Sequence, residues 1–275
     1  MLKIIFLSFI LSLIGSGSLK KEVDLDCFFK SLDENQQSEY YQIIREEKSK
    51  TTIYEVVRNW KNARELVLEL WEGEEDPYGY FTIEDGLIEG DIPHIDHILP
   101  SSWMTATLTC GLSEKPRKSC SDNHFYELFE SDPRNLAPTT ASLNIRKSDH
   151  PFCEHSLTMS VNDMKVFDDF IFVSNVNIET PNGVDTSCII PPDKYKGLLA
   201  RSQLIASEVY GIDLSSAYHS MLIEWDLMFP PDNTEIKRNE MIKTIINVDN
   251  HFITDHNQEK GIYDANCKIK KTSGK

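Results

Sequence analysis

Ile95-Asp96-His97-Ile98-Leu99-Pro100 decides how this chain is read, together with two segments downstream, Arg134-Asn135-Leu136-Ala137-Pro138 and Leu143-Asn144-Ile145-Arg146-Lys147. Asp96 offers a hard carboxylate oxygen suited to Mg²⁺, and Asn144 a neutral carbonyl oxygen, with water or phosphate left for the other positions. His97, with an unperturbed pKa of about 6.5, suits a general base. Successive strand residues face opposite ways, so a bulge or a loop is expected to bring Asp96 and His97 to one centre. Thr139 and Thr140 are reasonable N-caps for a short helix running to Lys147, with Asn144 early on it. Asn135 reads as the residue that holds the loop bearing His97, not as a ligand. A strand, an insertion, a second strand and a helix are thus expected around one ion. A base for water, a cation at phosphorus and oriented ligands are what phosphodiester hydrolysis needs.

Composition narrows the alternatives. The 275 residues allow one large domain or two small ones. With 40% hydrophobic and 26% charged residues, neither a membrane bundle nor a disordered chain fits. The balance of 28 basic against 44 acidic residues, net −16, excludes broad electrostatic capture of polyanions. Any nucleic-acid site must be local. Six cysteines leave up to three disulfides open.

Residues 1–18 read as a secretory signal peptide: Lys3, an apolar stretch from Ile4 to Ile14, then Gly15-Ser16-Gly17-Ser18. A spanning helix needs about 20 apolar residues, so this stretch is short for an anchor. Residues 19–263 read as a single domain and 264–275 as a polar tail. The expected product is soluble and monomeric, without stable membrane association after cleavage. It is secreted or held in a secretory or endolysosomal lumen, where paired cysteines persist.

From Cys27 to about Trp71 apolar residues recur near helical spacing. Phe170–Val173 and Cys188–Ile190 bracket the turn signal Asn182-Gly183, which suggests a hairpin. After Pro191-Pro192, Leu198, Leu199, Leu204, Ile205 and Val209 form a helical stripe that stops at Gly211. A second helix is expected from about Ser215 to Met228, and a third from Asn233 or Thr234 to about Asn247. Helices at both ends with short strands between them read as α+β.

Taken together, Asp96-His97-Ile98-x-Pro100, then Asn135-Leu136, then Asn144, resemble the His-Me finger (ββα-metal, HNH-like) nucleases. The long insertion after His97 and the sequence beyond it resemble the endonuclease I family of exported, non-specific nucleases. Asn135-Leu136-Ala137-Pro138 through Asn144, with Lys147-Ser148-Asp149-His150-Pro151-Phe152, is similar to that family's Asn-Leu-x-Pro, Asn, Arg-Ser-Asn-x-x-Phe run. Lys196-Gly197-Leu198-Leu199-Ala200-Arg201 is similar to its Lys-Gly-x-x-Ala-Arg helix start. Glu224-Trp225, Arg238-Asn239 and Asn250-His251-Phe252-Ile253 match later landmarks in order. The resemblance spans about Thr51 to Asp255.

The resemblance implies a mainly helical domain around a small ββα-metal core. It implies endonucleolytic cleavage of DNA, RNA or both, with one Mg²⁺ (Mn²⁺ as a substitute) and 5′-phosphate products. It assigns Asp96 and Asn144 as ligands, His97 as base, Asn135 as its support, and Arg146, Lys147 and Arg201 as phosphate contacts. It also implies a Cys110–Cys120 disulfide inside the insertion. Three departures stand out: Asp96 for the usual Glu, Lys147 for the usual Arg, and Asp149 for the usual Asn. The Asp96 and Asp149 departures, with the acidic composition, leave a second reading, a catalytically weak relative that binds nucleic acid or another partner.

Other features have plainer readings. Arg201 could equally pair with an acidic neighbour. Lys115-Pro116-Arg117-Lys118 could steer polyanions but reads more readily as a solvated loop. His150, Cys153 and His155 suggest zinc only superficially, since a disulfide is the commoner fate of such a cysteine in an exported chain.

Overall fold

Among the described residues helices flank three small antiparallel sheets, the α+β class that the sequence pattern implies. The computed structural model describes residues 60–78, 81–155, 161–167 and 170–256. The expected signal peptide, the expected helical run from Cys27 to residue 59 and the tail at 264–275 lie outside the described residues. Helix α1 (Trp60–Leu70) buries Ala63, Leu66, Val67 and Leu70, the i, i+3, i+4, i+7 stripe of an amphipathic helix. A two-stranded hairpin, β1 (Ile83–Glu84) and β2 (Leu87–Ile88), follows it.

Strand β3 (His94–His97) leads into α2 (Ser101–Ala106) and then into the insertion, which holds α3 (Pro116–Cys120) and α4 (His124–Glu130). The chain returns as β4 (Leu136–Thr139) and α5 (Ala141–Lys147). Strands β3 and β4 pair antiparallel in unbroken register, His94 opposite Thr139 through His97 opposite Leu136. The expected bulge is therefore not formed, and the pleat's alternation holds through Asp96 and His97. Thr140 caps α5 as expected, its hydroxyl accepting from the Leu143 N–H at 3.3 Å. Thr139 belongs to the strand.

The third sheet joins β5 (Met164–Phe167), β6 (Phe170–Thr180) and β7 (Gly183–Ile190). The expected hairpin forms, with Pro181 and Asn182 in its two-residue turn and Gly183 opening β7. Beyond it come α6 (Asp193–Tyr210), α7 (Ser216–Met228), α8 (Asn233–Ile246) and α9 (His251–Thr254). Gly211 ends α6 in the left-handed conformation at φ 61°, which a residue without Cβ adopts at no steric cost. The hydroxyl of Ser215 and the carboxylate of Asp232 cap α7 and α8, so both start where turn chemistry places them.

The Lys-Gly-x-x-Ala-Arg segment proves to be a packing joint. A Cβ on Gly197 would lie 2.0 Å from the carbonyl oxygen of Phe229, so only glycine lets the end of α7 approach α6. Arg201 meets that carbonyl at 2.8 Å and pairs with Asp226 at 2.9 Å and with Glu235. It is 1% exposed, so the expected phosphate contact gives way to the other reading, a cation that ties α6 to α7 and α8. Lys196 is likewise buried, bonded to Glu154 and Asp193 at 2.8 Å. Among the described residues the disulfides are Cys110–Cys120, as the resemblance implies, and Cys153–Cys188. The second removes Cys153 from any zinc site.

Removing one member of a buried ion network strands the others without a counter-charge. Arg201→Ala is expected to lower the unfolding free energy by roughly 3–5 kcal/mol, read from urea denaturation. A loss below about 1 kcal/mol would show that Arg201 is not this strut.

Candidate functional site

Strand β3 ends on the two residues of interest, and its pleat sends them opposite ways. Asp96 turns inward and is 5% exposed. The Tyr78 hydroxyl donates to its Oδ2 at 2.7 Å, and the Lys147 ammonium lies 3.0 Å from Oδ2 and 3.4 Å from Oδ1. Tyr78 is aimed there by Asp76, whose buried carboxylate accepts from the Tyr78 N–H at 2.9 Å and the Phe81 N–H at 3.2 Å. The Thr139 hydroxyl at 3.4 Å ties the same carboxylate to β4. Burial raises the Asp96 carboxyl above its ordinary value, against the opposing pull of Lys147 and the Tyr78 hydroxyl. Burial and the neighbouring carboxylate push the Tyr78 phenol well up, so it stays a donor.

Lys147 is 2% exposed. Besides Asp96 it donates to the backbone carbonyl of His97 at 3.0 Å and that of Ser148 at 3.5 Å. The expected contact between this side chain and phosphate is therefore not formed, because its donors are committed inside the protein. Asn144 stands one turn earlier on the same face of α5, half-buried, while Arg146 is exposed. The short helix thus packs against β3 with Asn144 and Lys147 on its inner side.

His97 faces the other way. Its ring stacks on Phe129 with centroids 5.8 Å apart and planes within 5°. Its Nε2 lies 3.1 Å from the carbonyl oxygen of Glu130, the last residue of α4. A carbonyl only accepts, so Nε2 must carry the proton and Nδ1 the lone pair. Burial, with help from the positive charges of Lys147 and Arg117, pushes the imidazole down to about 4, against the Glu130 hydrogen bond. The ring is neutral at pH 7, and its basic nitrogen is fixed.

Asn135 is fully buried and clamps the loop after His97. Its Oδ1 accepts from the Leu99 N–H at 2.7 Å, and its Nδ2 donates to the Leu99 carbonyl at 3.1 Å. From the other side the Gln203 amide donates to the Ile98 carbonyl at 2.9 Å, and Tyr218 in turn holds Gln203. Helices α6 and α7 thereby lock the strand end.

Sequence reasoning gave Arg117 no role in the site beyond possible steering from a solvated loop. It is exposed on α3, inside the loop closed by Cys110 and Cys120, and its charge lowers the pKa of both Asp96 and His97. Its place in the insertion between His97 and Asn135 was the available signal.

The donor set fits a hard divalent cation in kind: one carboxylate and one amide oxygen, with water and phosphate for the rest. A cation, the Lys147 ammonium, already sits on Asp96. Among the described residues there is no group of three or more His, Cys, Asp or Glu placed to hold a metal, so protein ligands here are few.

The family model described as endonuclease I matches residues 30–257. Among curated proteins, the chain is 26% identical over 165 residues to Endonuclease-1 of Buchnera aphidicola subsp. Acyrthosiphon pisum (strain APS), covering 60% of each chain. It is 24% identical over 159 residues to an extracellular deoxyribonuclease of Aeromonas hydrophila, covering 58% of this chain and 64% of that protein. A periplasmic deoxyribonuclease of the same species is 24% identical over 159 residues, with 58% and 61% covered. The matched region is thus less than two thirds of each relative's length.

The clamp on the strand end has its own test. Asn135→Ala strands the buried Leu99 N–H and carbonyl, at about 1–3 kcal/mol for an unsatisfied buried group. Amide exchange at Leu99 should speed up accordingly, and unchanged protection would mean that the clamp is not needed.

Proposed function

The chain belongs to the endonuclease I family, in the His-Me finger superfamily, and on that premise we propose that it is a divalent-metal-dependent, sequence-non-specific endonuclease acting on DNA, RNA or both. In this reading β3, β4 and α5 form the ββα-metal core. The observation that carries it is the contact of His97 Nε2 with the Glu130 carbonyl at 3.1 Å on one side of the β3 end, with the buried Asp96 carboxylate on the other. The Nδ1 lone pair of His97 takes the proton of the attacking water, and the Glu130 carbonyl stabilises the imidazolium that results. Asp96 and Asn144 would hold Mg²⁺, or Mn²⁺ in its place, which when bound supplies Lewis-acid stabilisation of the charge at phosphorus and on the leaving oxygen. Arg117 binds the phosphate oxygens, with Arg146 as a second contact. Asn135 keeps the base-bearing loop in register.

Export to an oxidising compartment is part of this reading, supported by the two disulfides and by relatives named extracellular and periplasmic deoxyribonucleases. No helix among the described residues is long and apolar enough to cross a membrane. We read the chain as a monomer after signal cleavage. The full pairing of the Asp96 carboxylate inside the protein favours the second reading, a catalytically weak binder. Retained binding without turnover in Mg²⁺, Mn²⁺ and Ca²⁺ would establish it.

The test is digestion of plasmid DNA and of RNA, with and without chelator. His97→Ala should lose about 10²–10⁴-fold in rate; an unchanged rate overturns the assignment. Because the folded His97 pKa of about 4 lies below its ordinary value of 6.5, the base form survives acidification, and the acid limb of kcat/KM should fall near 4. The same depressed pKa contributes stability that is complete above about 6.5 and lost as pH falls toward 4. Arg117→Ala, on an exposed loop position, should lower cleavage by roughly 10²-fold without changing the melting temperature. Activity should fall steeply with added salt.

A further inference from the structure

The ammonium of Lys147 sits in a cage of oxygens. The Asp96 carboxylate lies at 3.0 and 3.4 Å, the His97 carbonyl at 3.0 Å and the Ser148 carbonyl at 3.5 Å. The ring of Tyr78 lies 6.0 Å away on another side. One carboxylate with backbone carbonyls is an environment a hard cation seeks, and here the cation is covalently tethered. Both charges are almost fully desolvated, so their interaction is barely screened by solvent. Any second cation on Asp96 must share a single negative charge with this one and is repelled by it across a few ångströms of low-dielectric interior.

We propose that Lys147 is a tethered competitor of the divalent ion: its ammonium occupies the cation position on Asp96 and thereby sets how weakly the metal binds. This rests on the metal-dependent reading above. Without metal, Lys147 spares Asp96 the cost of standing buried and unpaired. With metal, Asp96 divides its lone pairs between the two cations, and binding stays weak until a phosphate brings further negative charge. Lys147 is thus a positioning residue, acting through Asp96 and through the backbone of His97.

Mn²⁺ binding, followed by its electron spin resonance signal without nucleic acid, tests this on four chains. Lys147→Met, which keeps the length and removes the charge, should tighten Mn²⁺ binding at least tenfold over the parent. Lys147→Arg should stay near the parent, and Asp96→Asn should abolish binding. A folded Lys147→Met chain that binds no more tightly overturns the proposal while leaving the metal reading in place. Mn²⁺ binding unaffected by Asp96→Asn, or absent from parent and variant alike, overturns both. Should Lys147→Met not fold, the lysine ammonium resonances of the parent decide. The signal missing in Lys147→Arg should shift and exchange faster at saturating Mg²⁺, and an unchanged signal overturns the proposal.

Discussion

A carboxylate that is 5% exposed cannot stand ionised in a protein interior without a counter-charge, and the neighbourhood of Asp96 is organised around that need. Lys147 supplies the charge from the last turn of α5, a position the helix dipole also favours for a cation. The pair therefore fixes where α5 lies against β3, while the Thr140 cap fixes its start. Tyr78 and Asp76 carry the same constraint into the turn after α1. Pairs of this kind contribute less net stability than a well-packed apolar substitute would, but breaking one is costly, so they hold geometry.

Two departures from the family pattern become one in this light. Asp96 is a methylene shorter than the usual Glu, and Lys147 offers a point charge where the family has a fork. In this chain the two are each other's partner, at 3.0 Å. The substitutions match in size and sign, so they do not read as separate losses. Asp149 is different: its carboxylate accepts from the Ser102 hydroxyl at 3.1 Å, outside this cluster.

Local chemistry was legible in the sequence wherever it decided the outcome locally. Gly211, Ser215 and Asn182-Gly183 mark their stops, caps and turn because conformational preference at one residue settles them. The order strand, insertion, strand, helix around the motif was also legible, and the strands pair antiparallel as the resemblance implies. What the sequence concealed was partnership at a distance. Arg201 finds its carboxylates 25 and 34 residues downstream, and nothing in its own segment distinguishes that fate from a surface cation. Lys147 reads as a phosphate ligand until 51 residues of intervening chain are folded and Asp96 lies beside it. The expected bulge in β3 failed for a related reason. It assumed that both side chains must reach one point, whereas the pleat sends the imidazole to one side of the strand and the carboxylate to the other.

The charge balance finds its resolution in the same sorting. At net −16 the chain repels polyanions over most of its surface. Lys147, Lys196 and Arg201 do not offset this at the surface, because each is buried against carboxylates of its own chain. The Cys110–Cys120 loop, by contrast, presents Lys115, Arg117 and Lys118 exposed together, and Arg117 is felt at both Asp96 and His97. The disulfide limits the conformations open to that loop. Under the proposed reading a phosphate backbone would be attracted to that loop rather than to the acidic surface around it. Attraction confined to a few cations gives weak, salt-sensitive binding, and release from an acidic surface is then fast. Under the proposed reading that combination would serve a catalyst that reads no sequence, because turnover on arbitrary backbone depends on leaving it as readily as finding it.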